Sequence, residues 1–80
     1  MKARVHVGLK PSVLDPQGKT IQEALKTLGY DCVGDVRQGK YFELVIDAAD
    51  RETAQRQAEE IAARVLANPV IERYDVEIEE

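Results

Sequence analysis

Two short stretches hold the residue types that could do chemistry. The first is Leu9-Lys10-Pro11-Ser12-Val13-Leu14-Asp15-Pro16-Gln17-Gly18. Two prolines stiffen it, and Val13 and Leu14 are apolar where a plain solvent loop would be polar. Residues of this kind suit docking against an apolar groove, and loops carry function more often than the elements they join. The second is Arg37-Gln38-Gly39-Lys40, two cations around a glycine turn. Such a tip suits a phosphate or an acidic partner; cations also flank turns simply for solvation. Reactive constellations are missing elsewhere. There is one histidine, His6, and one cysteine, Cys32, so no histidine pair or cysteine pair can hold a metal. A catalytic thiol needs a neighbouring base or positive field, and Cys32 has no histidine near it in sequence. The glycines at 8, 18, 29, 34 and 39 are scattered and make no phosphate-cradling loop. Asp15, directly before Pro16, reads as a helix cap rather than a general base.

The elements that must position these stretches follow from periodicity. Ala3, Val5, Val7 and Leu9 alternate with Arg4, His6 and Gly8, the pattern of a half-buried strand. After the loop, Asp15-Pro16 starts a helix whose face is Ile21, Ala24, Leu25 and Leu28, spaced i, i+3, i+4 and i+7. Gly29 ends it in the left-handed region. Cys32 to Arg37 reads as a second strand, with a bulge near Gly34 because Val33 and Val36 have opposite parity. Gln38-Gly39 reads as a hairpin turn in which Gly39 takes a positive φ. Tyr41 to Asp47 is a third strand with Phe42, Leu44 and Ile46 on one face and Tyr41, Glu43 and Val45 on the other. Asp50 caps a second helix running to about Ala67, with Ala54, Ala58, Ile61, Ala62, Val65 and Leu66 along its seam. Val70 to Ile78 is the last strand, with Tyr74, Val76 and Ile78 inward.

The order β-α-β-β-α-β predicts an α+β domain of the ferredoxin-like pattern, an antiparallel sheet with both helices on one face. Residues 1–80 make one domain. A chain this short buries only ~60% of its unfolded surface, which favours docking to a second copy or a partner. The sheet face without helices carries Tyr41 and Val45, together with Val33 or Val36. These four residues, Val33, Val36, Tyr41 and Val45, are the expected dimer interface.

Net charge is -4 and unevenly spread. Residues 1–40 carry seven Lys and Arg against four Asp and Glu, whereas residues 72–80 carry Arg73 against five acids. An acidic chain is a poor general nucleic-acid binder. No apolar run approaches the ~20 residues of a membrane span, and the N-terminus lacks the apolar core of a secretory signal. The expectation is a cytoplasmic protein that binds neither nucleic acid nor membrane.

The run Leu9-Lys10-x-x-Val13-Leu14-Asp15-Pro16-Gln17-Gly18, backed by Ile21, Ala24, Leu25, Leu28 and Gly29, resembles the PurS family. So does Val36-Arg37-Gln38-Gly39-Lys40 followed by Phe42 and Glu43. The resemblance covers nearly the whole chain. It implies the small subunit of phosphoribosylformylglycinamidine synthase in purine biosynthesis, a structural component without catalytic residues. The implied assembly is a homodimer or a dimer of dimers that joins a large synthetase subunit to a glutaminase subunit. That complex turns formylglycinamide ribonucleotide, glutamine and ATP into the formylglycinamidine product, and the small subunit helps to shelter ammonia between the two active sites. No cofactor is expected on this chain; ATP and magnesium act in the complex. The expected partner-binding residues are Lys10, Val13, Leu14, Asp15, Gln17, Arg37, Gly39 and Lys40, with Val13 and Leu14 as anchors and the three cations setting charge register.

Other readings stay open on the residues alone. A ferredoxin-like unit can be a regulatory module for a small ligand. An RNA-recognition module needs aromatics on the middle strands and a basic face, and Tyr41 and Phe42 are adjacent, hence on opposite faces. An acyl-phosphate hydrolase needs an arginine in its anion loop, where this chain has Lys10 and two prolines.

Overall fold

A computed structural model describes residues 1–80. Three strands form one antiparallel sheet in the order β2-β1-β3. These are β1 (Lys2–Leu9), β2 (Lys40–Val45) and β3 (Glu72–Glu79). Between them run α1 (Pro16–Thr27) and α2 (Arg51–Ile61), the latter continued by a π-helical turn at Ala62–Leu66. No helix is long and apolar enough to cross a membrane.

Register follows the alternation in the sequence. Ala3 faces Leu44 and Ile78, Val5 faces Phe42 and Val76, and Val7 faces Tyr74. These side chains share one face. Against it α2 lays Ala54 and Ala58, and the π-helical turn lays Ala62, all fully buried. Small residues on the seam let the helix approach closely, and α2 packs on β3 and β1. Asp50 caps α2 by accepting from the Thr53 N–H at 2.7 Å. The π-helical turn closes with the Ala67 N–H donating to the Ala62 carbonyl at 2.8 Å, which ends the helix where expected. The opposite sheet face is charged. Lys2 lies 3.9 Å from Glu43, Arg4 pairs with Glu79, and the Tyr41 hydroxyl donates to Glu43 at 2.9 Å.

Three features differ from the sequence-based expectation. Cys32 to Arg37 joins no sheet, although the rest of the α+β order holds. Its valines break parity, and its backbone goes elsewhere: the Gln38 N–H that would serve a hairpin donates to the Asp15 carboxylate. Gly39 does not take a positive φ; Gly29, at φ 94°, is the one residue that does. Gly39 is instead a point of close approach, since a Cβ there would stand 2.6 Å from the Val7 carbonyl oxygen. Finally, α1 does not lie on the sheet beside α2 and makes at most marginal contact with either. It projects, so the chain extends 51 Å along its longest axis.

Candidate functional site

The two stretches singled out in the sequence come together. β1 and β2 are antiparallel, with Val7 opposite Lys40, so the chain leaves β1 and re-enters β2 at the same end of the sheet. The segments 10–15 and 34–39 therefore run side by side, and α1 hangs between them.

Asp15 ties them. It is buried, and one carboxylate oxygen accepts from the Gly18 N–H at 2.8 Å, the N-cap of α1. The other oxygen accepts from the Gln38 N–H at 2.7 Å. Those two backbone donors, Gly18 first and Gln38 next, hold the Asp15 carboxyl below its ordinary value, helped by the Arg37 charge and opposed by burial. Arg37 donates from one guanidinium nitrogen to the carbonyls of Lys10 and Val13 at 3.0 and 2.9 Å. The Gln38 side chain donates to Gln17 at 2.6 Å, and Gln22 donates to the Gly34 carbonyl at 2.7 Å. Gly18 lets the two segments touch: a Cβ there would stand 2.1 Å from the Val36 carbonyl oxygen.

This clamp divides the expected partner-binding residues. Asp15, Gln17 and Arg37 are engaged within the chain, Asp15 and Gln17 with Gln38 and Arg37 with the Lys10 and Val13 carbonyls. Lys40 is engaged too, 3.4 Å from Glu72 and donating to the Leu66 carbonyl. With the Asn68 N–H, which comes first, Lys40 keeps the Glu72 carboxyl below its usual range against the effect of burial. Gly39 is pressed against β1. Leu14 is the opposite case: it is 71% exposed at the bend, beside half-buried Val13. Lys10 is half-buried, its N–H bonded to the Ile71 carbonyl at 2.8 Å. The expected dimer residues also separate. Tyr41 and Val45 lie on the outer sheet face, with Val45 87% exposed, while Val33 and Val36 lie in the return segment after α1.

The site offers no nucleophile paired with a base, and no group of histidine, cysteine or acidic side chains could hold a metal ion. Cys32 is exposed. His6 sits on the outer sheet face with its ring 4.8 Å from the Tyr41 ring. What the arrangement can do is hold a shape, with the Pro11–Leu14 bend presented on a cross-tied stem.

Sequence reasoning missed the clamp function of Gly18 and Arg37. A signal was present: a glycine within the first turn of an otherwise good helix costs stability relative to alanine, which points to close approach of another backbone.

The sequence matches the family model described as phosphoribosylformylglycinamidine (FGAM) synthase, PurS, over residues 2–80. The chain belongs to the PurS family. It is similar to the PurS subunit of phosphoribosylformylglycinamidine synthase from Synechocystis, at 51% identity over 94% of this chain and 75% of that one. Among solved structures it is similar to PurS of Methanocaldococcus jannaschii, with a TM-score of 0.90 at 38% identity, covering 99% of this chain and 95% of that one. That protein is described as one of the subunits of formylglycinamide ribonucleotide amidotransferase in the purine biosynthetic pathway. It is also similar to a chain in the structure of PurLQS from Thermotoga maritima, with a TM-score of 0.87 at 32% identity over 95% of this chain and 93% of that one. PurS chains are thus small subunits of a purine-biosynthetic synthase, and this one shares their fold.

Proposed function

We propose that this chain serves phosphoribosylformylglycinamidine synthase as a docking subunit with no chemistry of its own. It bridges the large synthetase subunit and the glutaminase subunit and holds their active sites in register. Ammonia released into bulk water is diluted and mostly protonated. Keeping two sites together raises its effective concentration without any reaction by the adaptor. ATP and magnesium belong to the large subunit in this reading, and the assembly works in the cytoplasm as a homodimer or tetramer of this chain with its two partners.

One observation carries the reading. The most conspicuous loop of the chain engages its Asp15 carboxylate and its Lys10 and Val13 carbonyls internally and turns an apolar side chain, Leu14, outward. A catalytic loop would do the reverse. Apolar anchors of this kind supply binding energy, whereas rim charge sets orientation and association rate. With Arg37 and Lys40 engaged internally, Lys10 is the cation left of the three for charge register. Tagged protein recovered from its own host should bring down both the synthetase and the glutaminase subunit. Recovery of neither, under conditions where the two partners hold each other, would overturn the bridging role.

A further inference from the structure

Gly8 has no internal reason to be glycine. It lies within β1, directly across from Arg73 of β3. Its φ is not positive, the pairing with β3 runs through it without a bulge, and a Cβ there would meet nothing within 4 Å. Glycine inside a strand costs backbone entropy. Where neither a turn nor packing asks for it, it marks the close approach of something from outside. Gly39 lies alongside, pressed against β1, and a Cβ built on it would stand 3.7 Å from the Gly8 Cα. Together the two glycines leave a hollow at one end of the outer sheet face.

The walls of the hollow hold stacking surface and free donors. Two cavities, of about 450 and 410 Å³, meet over it and share Gly8, Gly39 and Arg73. Each is of a size that takes a small molecule. In the first, His6 is exposed and its ring lies 4.8 Å from that of Tyr41. The Tyr41 hydroxyl is anchored on Glu43, so the two rings form a fixed aromatic wall. In the second, Arg37 is held through Nη2 alone by its bonds to the Lys10 and Val13 carbonyls, which leaves Nε and Nη1 without partners in the chain. Arg73 pairs with no carboxylate. Lys40, by contrast, is committed to Glu72. Two carboxylates also enter: Asp75 at the aromatic end, across from His6, and Asp35 at the arginine end. The arginine end thus carries two cations against one acid, and the aromatic end offers an acceptor beside its rings.

We propose that this groove binds a nucleoside monophosphate, with its base against His6 and Tyr41 and its phosphate between Arg73 and Arg37. Aromatic side chains hold a base by stacking, and a guanidinium takes a phosphate through paired, charge-assisted hydrogen bonds. Asp75 accepts from a sugar hydroxyl or a ring amino group. The spacing suits such a ligand. The His6–Tyr41 row and the Gly8–Arg73 row are two strand residues apart, about 7 Å. One molecule therefore reaches both, with its sugar over Gly8, where any side chain would stand in the way. Leu14 takes no part in the groove, so the docking role stands or falls on its own.

Titration of the isotope-labelled full chain with adenosine monophosphate, read by backbone amide shifts, tests this, with adenosine and inorganic phosphate as separate probes. The expected result is saturable binding of adenosine monophosphate, shifts centred on Gly8, Gly39 and Arg73, and binding of either fragment weaker by about tenfold or more. Gly8→Val fills the hollow with a side chain suited to a strand. It should leave the thermal midpoint unchanged or raised and abolish the binding. Arg73→Gln should weaken binding of adenosine monophosphate about tenfold and leave that of adenosine unchanged. The absence of saturable shifts, undiminished binding by folded Gly8→Val, or either fragment bound as tightly as adenosine monophosphate would overturn the proposal. So would a change in the mass of Gly8→Val by light scattering, which would give the hollow to another protein chain. Should Gly8→Val fail to fold, Arg73→Gln decides, and unchanged affinity there overturns the proposal.

Discussion

Gly18→Ala puts the clamp to a test in which two effects have opposite signs. Gly18 is the third residue of α1 and does not have a positive φ, so alanine fits the backbone there. In an isolated helix the change would stabilise by up to ~1 kcal/mol. The structure reverses the expectation. The added Cβ would stand 2.1 Å from the Val36 carbonyl oxygen and 2.9 Å from an Asp15 carboxylate oxygen, where ordinary contact begins at 3.4 Å. The atom in the way is backbone and cannot rotate aside. The 34–38 segment must therefore retreat by about an ångström, which stretches the bonds from Gln38 to Asp15 and from Gln22 to Gly34. Overpacking of this kind costs ~1–3 kcal/mol. The net expectation is a loss of about 1–2 kcal/mol after the helix gain. For a domain of this size that lowers Tm by roughly 4–16 °C. Thermal unfolding followed by circular dichroism reads it, with protein concentration held fixed because association shifts Tm. Gly34→Ala is the control, since a Cβ at Gly34 meets nothing within 4 Å; it should leave Tm unchanged or slightly raised. A Gly18→Ala protein as stable as the parent, or more so, would refute the close approach of the two segments.

Other perturbations separate docking from folding. Leu14→Ala should leave the melting curve in place, because the side chain is already 71% exposed. Burying a leucine is worth ~1.5–3 kcal/mol, so losing its remaining burial at a partner should weaken assembly of the synthase about 5- to 30-fold in a titration; unchanged affinity would remove Leu14 from the interface. Stability should also fall in acid. Asp15, Asp50 and Glu72 all have folded pKa values below their ordinary ones. Their contribution is therefore complete above the unfolded pKa near 4 and is lost as pH drops through the folded values. Urea titrations between pH 7 and pH 3 should show that decline, and Asp15→Asn should flatten it; an identical decline in Asp15→Asn would deny Asp15 its share.

Much of this architecture is legible in the residue pattern, and the parts that are not have a common cause. Strict alternation in β1, β2 and β3 fixes which side chains meet, and the observed register pairs Val5 with Phe42 and Val76 on one face. Asp15 and Asp50 announce both helix starts. At the end of α1, Gly29 and Tyr30 donate to the Lys26 and Leu25 carbonyls as a left-handed glycine cap should. The segment after α1 was opaque because its backbone is satisfied from a distance. Gln38 finds a carboxylate 23 residues earlier in the chain, and local periodicity carries no record of such a bond. The cations misled for a related reason. Arg37 and Lys40 look free in one dimension, yet each meets backbone carbonyls brought to it by the fold. The apolar stripe of α1 says that something covers it, and nothing about whose surface does so.

Whether this chain contributes position rather than reactivity is measured most directly on the synthase assembled with and without it. Rates are compared with glutamine and with added ammonia as the nitrogen source, at saturating ATP and formylglycinamide ribonucleotide. The expected result is a loss of glutamine-driven turnover when the chain is omitted, with ammonia-driven turnover by the large subunit retained. Equal loss of both rates, or turnover by the chain alone, would contradict it.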